Sequence, residues 1–222
     1  NYNYWSSPVS NRGAANNSSY SMINILRDGT DSANHKAITF GDGAYFADGP
    51  LISPIKISNQ WIYTYSSLTP NSNTHWENYW KWQYKSSTGL IAVADGFSMK
   101  GTGGTATINA NQNFVYTGKP NSGTINKFIA LNQTYLVGNP YPSALDADEF
   151  IKDNLKDCTG CRGTENSFGG VIYFWDHFGL SNNHFLAQYE GGYATYTLTG
   201  GVAAVASSPL NVNNGATGTK VP

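Results

Sequence analysis

HWENYWKWQYK, residues 75–85, carries three tryptophans and two tyrosines. Read with a period of two, Trp76, Trp80, Trp82 and Tyr84 share one side, interrupted by Asn78. His75, Glu77, Tyr79, Lys81, Gln83 and Lys85 take the other. Alternation of this kind is the mark of a half-buried strand, because successive side chains on a strand point to opposite faces. The sequence therefore predicts a β-strand with a dry aromatic side and a wet charged side. Large rings remove much apolar area from water, so the Trp76, Trp80 and Trp82 face is expected to be chiefly core. The competing use is a flat platform for stacking a ligand. For that use the candidate contacts are His75, Trp76 and Tyr79, together with Trp61 in QWIYTYSSL.

The rest of the chain repeats the strand signal. SYSMINILRDG alternates with Tyr20, Met22 and Leu26 on one face, and QWIYTYSSL puts Trp61, Tyr63 and Tyr65 on one face. Asp-Gly pairs at Asp28-Gly29, Asp42-Gly43 and Asp95-Gly96 read as turns, the second as a hairpin. In GGVIYFWDHFG the VIYFW run is apolar on both faces, which predicts a central strand. One helix is expected in NPYPSALDADEFIKDNL. Asp146 stands three residues before Glu149 as a capping box, and Leu145, Phe150 and Ile151 are predicted to face inward. The fold class that follows is all-β: a jelly-roll-like antiparallel β-sandwich with one short helix. The 222 residues are read as a single β-sandwich module.

Composition excludes several functions. Charged residues are 12% and the net charge is −1, so nucleic acid is not an expected partner. The sequence holds no long apolar run or basic amphipathic helix, so membrane insertion is not expected either. Aromatics at 14%, with 24 glycines and many small polar residues, suit a secreted β-protein. Cys158 and Cys161, as C-T-G-C, are expected to form a local disulfide in an oxidising compartment. Redox chemistry fits less well because no strand-to-helix context surrounds the pair, and zinc would need two more ligands.

No catalytic residue is predicted. The best enzyme-like set is Asp176-His177 beside Trp175, with Glu190 downstream, but it matches no motif. A glycoside hydrolase would need two carboxylates across a cleft. No cofactor is expected. Asp146 and Asp148 are weak calcium candidates, since hard cations take oxygen ligands, and Asp42, Asp48 and Asp95 are equal donors.

Segments across nearly the whole chain resemble one family. LVGNPYPSALDADEFI (136–151), GVIYFWDH (170–177) and YATYT (193–197) are similar to a module of large secreted Bacteroidota surface proteins, typically exported by the type IX system. NYWSSPV (3–9) resembles that module's opening, and DGFSMKGTG (95–103) and GKPNSGTI (118–125) its middle. The resemblance implies a secreted, cell-surface location and carries over no catalytic residue. The family pattern continues into a further strand, so residues 211–222 are expected to be a loop whose next, C-terminal strand is missing or supplied elsewhere. Expected partners are other copies or neighbouring domains of a larger surface protein, by β-strand addition, and glycans. Asp31-Ser32-Ala33 resembles the short O-glycosylation signal of such proteins, which makes Ser32 a candidate acceptor. The function expected is a non-enzymatic structural or adhesive module. The alternative is a carbohydrate-binding module using exposed aromatics, and a glycoside hydrolase-like enzyme comes third.

Overall fold

The computed structural model describes residues 2–42, 53–65, 81–101, 112–177 and 191–204. The protein is all-β, and among the described residues it is built mostly of antiparallel sheets, with one short helix and a single further helical turn. Two compact units divide it, one formed by Tyr2–Ala144 and one beginning at Leu145.

The first unit holds a four-stranded antiparallel sheet. Its strands are β1 (Tyr2–Trp5), β7 (Tyr63–Tyr65), β8 (Trp82–Tyr84) and β9 (Phe97–Lys100), in the order β1-β9-β7-β8. Strand β3 (Leu26–Asp28) lies between β4 (Lys36–Ala37) and β10 (Phe114–Tyr116). Two pairs complete the unit. β2 (Val9–Ser10) joins β11 (Lys119–Pro120) antiparallel, and β5 (Thr39–Gly41) joins β6 (Lys56–Ser58) in parallel. The hairpin expected at Asp42-Gly43 continues from Gly43 into residues outside those described, and the loop expected over residues 211–222 lies outside them too.

Phe97 and Met99 reach from β9 into an aliphatic cluster with Met22, Ile25, Ile57 and Ile62, all fully buried. SYSMINILRDG departs from its alternating reading. Met22–Ile25 form one helical turn, α1, before β3 begins. The buried residues are Met22, Ile25 and Leu26, while Ile23 is exposed. That spacing of three and four is helical, and it won because Ile25 as well as Met22 finds the core.

Buried Asp28 closes β3. Its carboxylate accepts Thr30 N–H at 2.8 Å, Thr30 Oγ1 at 2.6 Å and Ile55 N–H at 3.0 Å. Burial by itself raises the carboxyl's pKa, but donors from Thr30, Ser53 and Ile55 outweigh it and hold the pKa below the ordinary range.

The second unit holds β12 (Ile172–His177), β13 (Gly191–Thr197) and β14 (Gly200–Val202), in that order. Among the described strands β13 is the middle one, and the VIYFW run, expected to be central, lies at one flank, with Tyr173 60% exposed. Its apolar character on both faces comes from aromatic rings that remain partly in solvent.

Helix α2 spans Ala147–Asp153. Asp146 caps it by accepting Glu149 N–H at 3.1 Å. Glu149 does not reach back to complete the box; its carboxylate takes Lys152 Nζ at 3.0 Å and Arg162 Nη2 at 2.6 Å. Ile151 is fully buried and Phe150 packs on Phe168, with ring centroids 5.9 Å apart. Leu145, predicted to face inward, is 46% exposed, because it precedes the cap and lies outside the helical period.

Candidate binding face

The four-stranded sheet has two unlike sides. Phe97, Met99 and Thr64 point to the core and are buried, and on β9 the opposite side is covered as well, at Ser98 and Lys100. By alternation, Tyr63, Tyr65, Trp82, Tyr84 and Tyr4 belong to the opposite side. The register sets them in rows: Tyr63 opposes Tyr84, Tyr65 opposes Trp82, and Tyr63 and Tyr4 both oppose Ser98. Rings meet across each row. Tyr63 and Tyr84 centroids lie 5.4 Å apart, Tyr65 and Trp82 5.1 Å in an edge-to-face contact, and Tyr4 and Trp82 5.9 Å. Tyr84 is 54% exposed and the other four are half-buried.

Trp82 is therefore not a core residue, contrary to its reading from the sequence, while Trp76 and Trp80 of the same reading lie outside the described residues. The wet and dry sides are exchanged: Gln83 pairs with buried Thr64 on the core side, while Trp82 and Tyr84 face outward. β8 is the last strand in the described order of this sheet, where the core thins and a polar Gln83 is tolerated on the inner side. The same exchange applies to QWIYTYSSL, where Ile62 and Thr64, not the tyrosines, are buried. Attention to that second alternation would have placed Tyr63 and Tyr65 outside.

Of the predicted ligand contacts, His75, Trp76 and Tyr79 lie outside the described residues. Trp61 is half-buried. Its ring covers the ammonium of buried Lys100, 3.9 Å from Nζ to the ring centre, and its carbonyl accepts Ser98 Oγ at 3.1 Å.

Other candidates acquire structural partners. Asp146 is occupied at the helix cap, and Asp148 accepts the Tyr196 hydroxyl at 2.9 Å. That bond is the main reason the Tyr196 pKa rises. Asp95 accepts Tyr135 Oη at 2.5 Å and pairs with Lys127. Burial first, and then Asp95, pushes the Tyr135 pKa well up. Among the described residues no group of three or more His, Cys, Asp or Glu is placed to hold a metal ion.

Cys158 and Cys161 are joined as a disulfide, their Cα atoms 5.1 Å apart. Between them Gly160 adopts φ +79°, the left-handed conformation that glycine enters freely, which explains the third position of C-T-G-C. The next residue docks on the helix: Arg162 N–H donates to Lys152 O at 2.8 Å and its Nε to Asp153 at 2.7 Å. Ser32 is exposed in a turn where Asp31 Oδ1 accepts Ala33 N–H at 3.0 Å. Asp176 lies on β12 opposite Gly192. The His177 side chain and Glu190 lie outside the described residues.

Residues of NYWSSPV, GKPNSGTI and the Asn139-Pro140-Tyr141 segment meet in a polar clasp. Buried Asn121, from GKPNSGTI, accepts Ser10 Oγ at 2.8 Å and Asn17 N–H at 3.0 Å, and donates to Pro140 O at 3.1 Å. Ser6 Oγ donates to Asn139 O at 2.8 Å, and Tyr141 Oη to Gly123 O at 2.7 Å. These bonds stitch the loops together.

Fold and site together define an all-β protein with a partly exposed aromatic sheet face. The chain belongs to the family described as Domain of unknown function (DUF8693), whose model matches residues 50–218. No curated protein and no solved structure matches it. Among the described residues no helix is long and apolar enough to cross a membrane.

Proposed function

We propose that this protein is a non-enzymatic adhesive module of an exported cell-surface protein, and that the outer face of its four-stranded sheet packs on carbohydrate rings. The observation that carries the reading is the row of Tyr63, Tyr65, Trp82 and Tyr84 on the side of the sheet away from the core. A pyranose presents a patch of C–H bonds that packs on the electron-rich face of an aromatic ring, while tyrosine hydroxyls at the margin bond to sugar hydroxyls. A soluble domain seldom leaves so many rings partly in water without a use. The disulfide supports an oxidising, extracellular setting, and the resemblance to secreted surface modules supports export.

The test is a glycan array, followed by titration of any hit against Tyr84→Ala and Tyr63→Ala. Stacking predicts a loss of at least about tenfold in affinity from either change, the equivalent of one ring contact. Unchanged affinity in both variants, or the absence of any glycan hit, sinks this reading and leaves assembly with neighbouring protein as the adhesive role.

A further inference from the structure

A second feature of the first unit lies outside the aromatic face. A cavity of about 490 Å³ is lined by Asn11, Arg12, Asn24, Arg27, His35 and Thr117. That volume falls within the range of roughly 300–1,000 Å³ typical of small-molecule sites. Its lining is polar, holds two guanidinium groups and an imidazole, and contains no carboxylate. The four ion pairs among the described residues all lie elsewhere, at Lys127, Lys152 and Arg162. Two arginines that face one cavity and have no acidic partner among the described residues suit an anion from outside.

Arg27 is built for the task. Its Nη1 donates to Ile23 O at 3.0 Å and Leu26 O at 2.9 Å, and its Nη2 to Asn24 O at 3.4 Å. These carbonyls, at and just after the single turn α1, hold the guanidinium in place. Three of its five N–H groups are thereby engaged, leaving one on Nε and one on Nη2 for a ligand. A fork fixed in advance loses little rotamer entropy on binding an oxyanion.

The neutral residues narrow the class. Asn24 Nδ2 spends one of its two N–H groups on Ser21 Oγ at 2.8 Å, which leaves one donor and the amide oxygen open. Asn11 Oδ1 accepts Ser21 N–H at 3.2 Å, so its Nδ2 donors are open. Thr117 Oγ1 donates to Ile25 O at 3.3 Å and keeps accepting capacity. A bare inorganic anion needs only donors. A lining that offers donors and acceptors together suits a molecule bearing both a carboxylate and hydroxyls.

We infer that this cavity binds an acidic saccharide unit, its carboxylate on Arg12 and Arg27 and its hydroxyls on Asn11, Asn24 and Thr117. The inference stands on the cavity alone and does not depend on the aromatic face.

The experiment titrates the whole chain with glucuronic acid, glucose and inorganic sulfate, followed by NMR chemical shifts. Glucuronic acid is expected to bind at least about tenfold more tightly than glucose, the worth of one charge-assisted contact. It is also expected to bind more tightly than sulfate. Arg12→Gln, at an exposed position, is expected to fold normally and weaken glucuronic acid by about tenfold or more. Arg27→Lys keeps the charge but loses the fork, and is expected to weaken it comparably. Equal affinity for glucose overturns the proposal, as does sulfate matching glucuronic acid, an unaffected Arg12→Gln, or no binding of glucuronic acid at millimolar concentrations. Loss of glucuronic acid binding in Arg12→Gln, with neutral-glycan binding retained, separates this site from the aromatic face.

Discussion

The sheets of the two units share a design and differ in what holds them. In each, one side carries rings that stay partly in solvent: Tyr63, Tyr65, Trp82 and Tyr84 in the first, Tyr173, Trp175 and Tyr193 in the second. The other side of the first sheet meets a core of fully buried aliphatic and aromatic residues. In the second sheet the corresponding side bears Ile172, Phe174, Ala194 and Tyr196, with Phe174 itself 38% exposed, and a hydrogen bond from Tyr196 to Asp148 ties it to α2. Its described buried apolar residues are Ile151, Ala194 and Ala204. Among the described residues, apolar burial is the main support of the first unit. The second leans on a disulfide, a capped helix and the Arg162 ion pairs. Small cores supply little stability on their own and are commonly reinforced by such local staples.

The largest effect should come from the first core. Phe97→Ala removes a fully buried ring packed edge-on against Tyr20, with centroids 6.4 Å apart. It should cost about 3–5 kcal/mol, read from the shift of the denaturant midpoint. A loss below about 1 kcal/mol would mean that the cluster around Phe97 is not what holds this unit.

Asp28 tests the polar side of the same core. Its folded pKa is depressed, so its contribution is present above the unfolded carboxyl value and is lost as the pH falls through the folded one. Asp28→Asn should cost about 2 kcal/mol at neutral pH, the worth of charge-assisted bonds to buried donors. It should also flatten the decline of stability below the ordinary carboxylate range. A variant with the wild-type acid profile would show that other carboxylates set it.

The second unit should respond to its staple. Replacing Cys158 and Cys161 with serine releases a loop closed over three residues of sequence separation. So short a loop constrains the unfolded chain weakly, and the expected loss is about 1–2 kcal/mol. Hydrogen exchange should rise first in residues 155–167, where Gly163 N–H is held by Leu155 O and Ser167 N–H by Asn154 O. Unchanged protection there would remove the disulfide from the account of what orders this loop.

Sheet content was legible because strand alternation and Asp-Gly turns are local signals, and α2 was legible from its Asp146 cap. Which side of a strand faces inward was not, because an aromatic ring satisfies both answers. Trp82 and Tyr84 looked dry by residue type, yet Phe97 and Met99 of β9 decide which side is inside, and they lie more than ten residues away. Met22–Ile25 misled for a related reason: apolar residues at both alternating and helical spacing leave the choice to tertiary contacts. The cavity of Arg12, Arg27 and His35 was illegible because single basic residues scattered over 24 positions share no motif until β3 and its flanking loops bring them together.

The smallest stability effects should come from the aromatic side of the first sheet, and they decide between a core and a binding face. If Trp82 were core, Trp82→Ala would cost about 3–5 kcal/mol. As a half-buried ring touching Tyr4 and Tyr65, it should cost about 1–2 kcal/mol, made of partial burial and lost ring contacts. Tyr84, 54% exposed with one described ring neighbour, should cost no more than about 0.5 kcal/mol on truncation to alanine. A urea titration of both variants reads the two numbers together. The ordering matters more than either value, because a core side would penalise both truncations heavily whatever the ligand. A Trp82→Ala loss near 4 kcal/mol would return this side of the sheet to the core and remove the structural basis for stacking sugar there. A small loss in both variants, with glycan affinity falling alongside, would mean that these rings are kept for a partner, since folding alone would not need them.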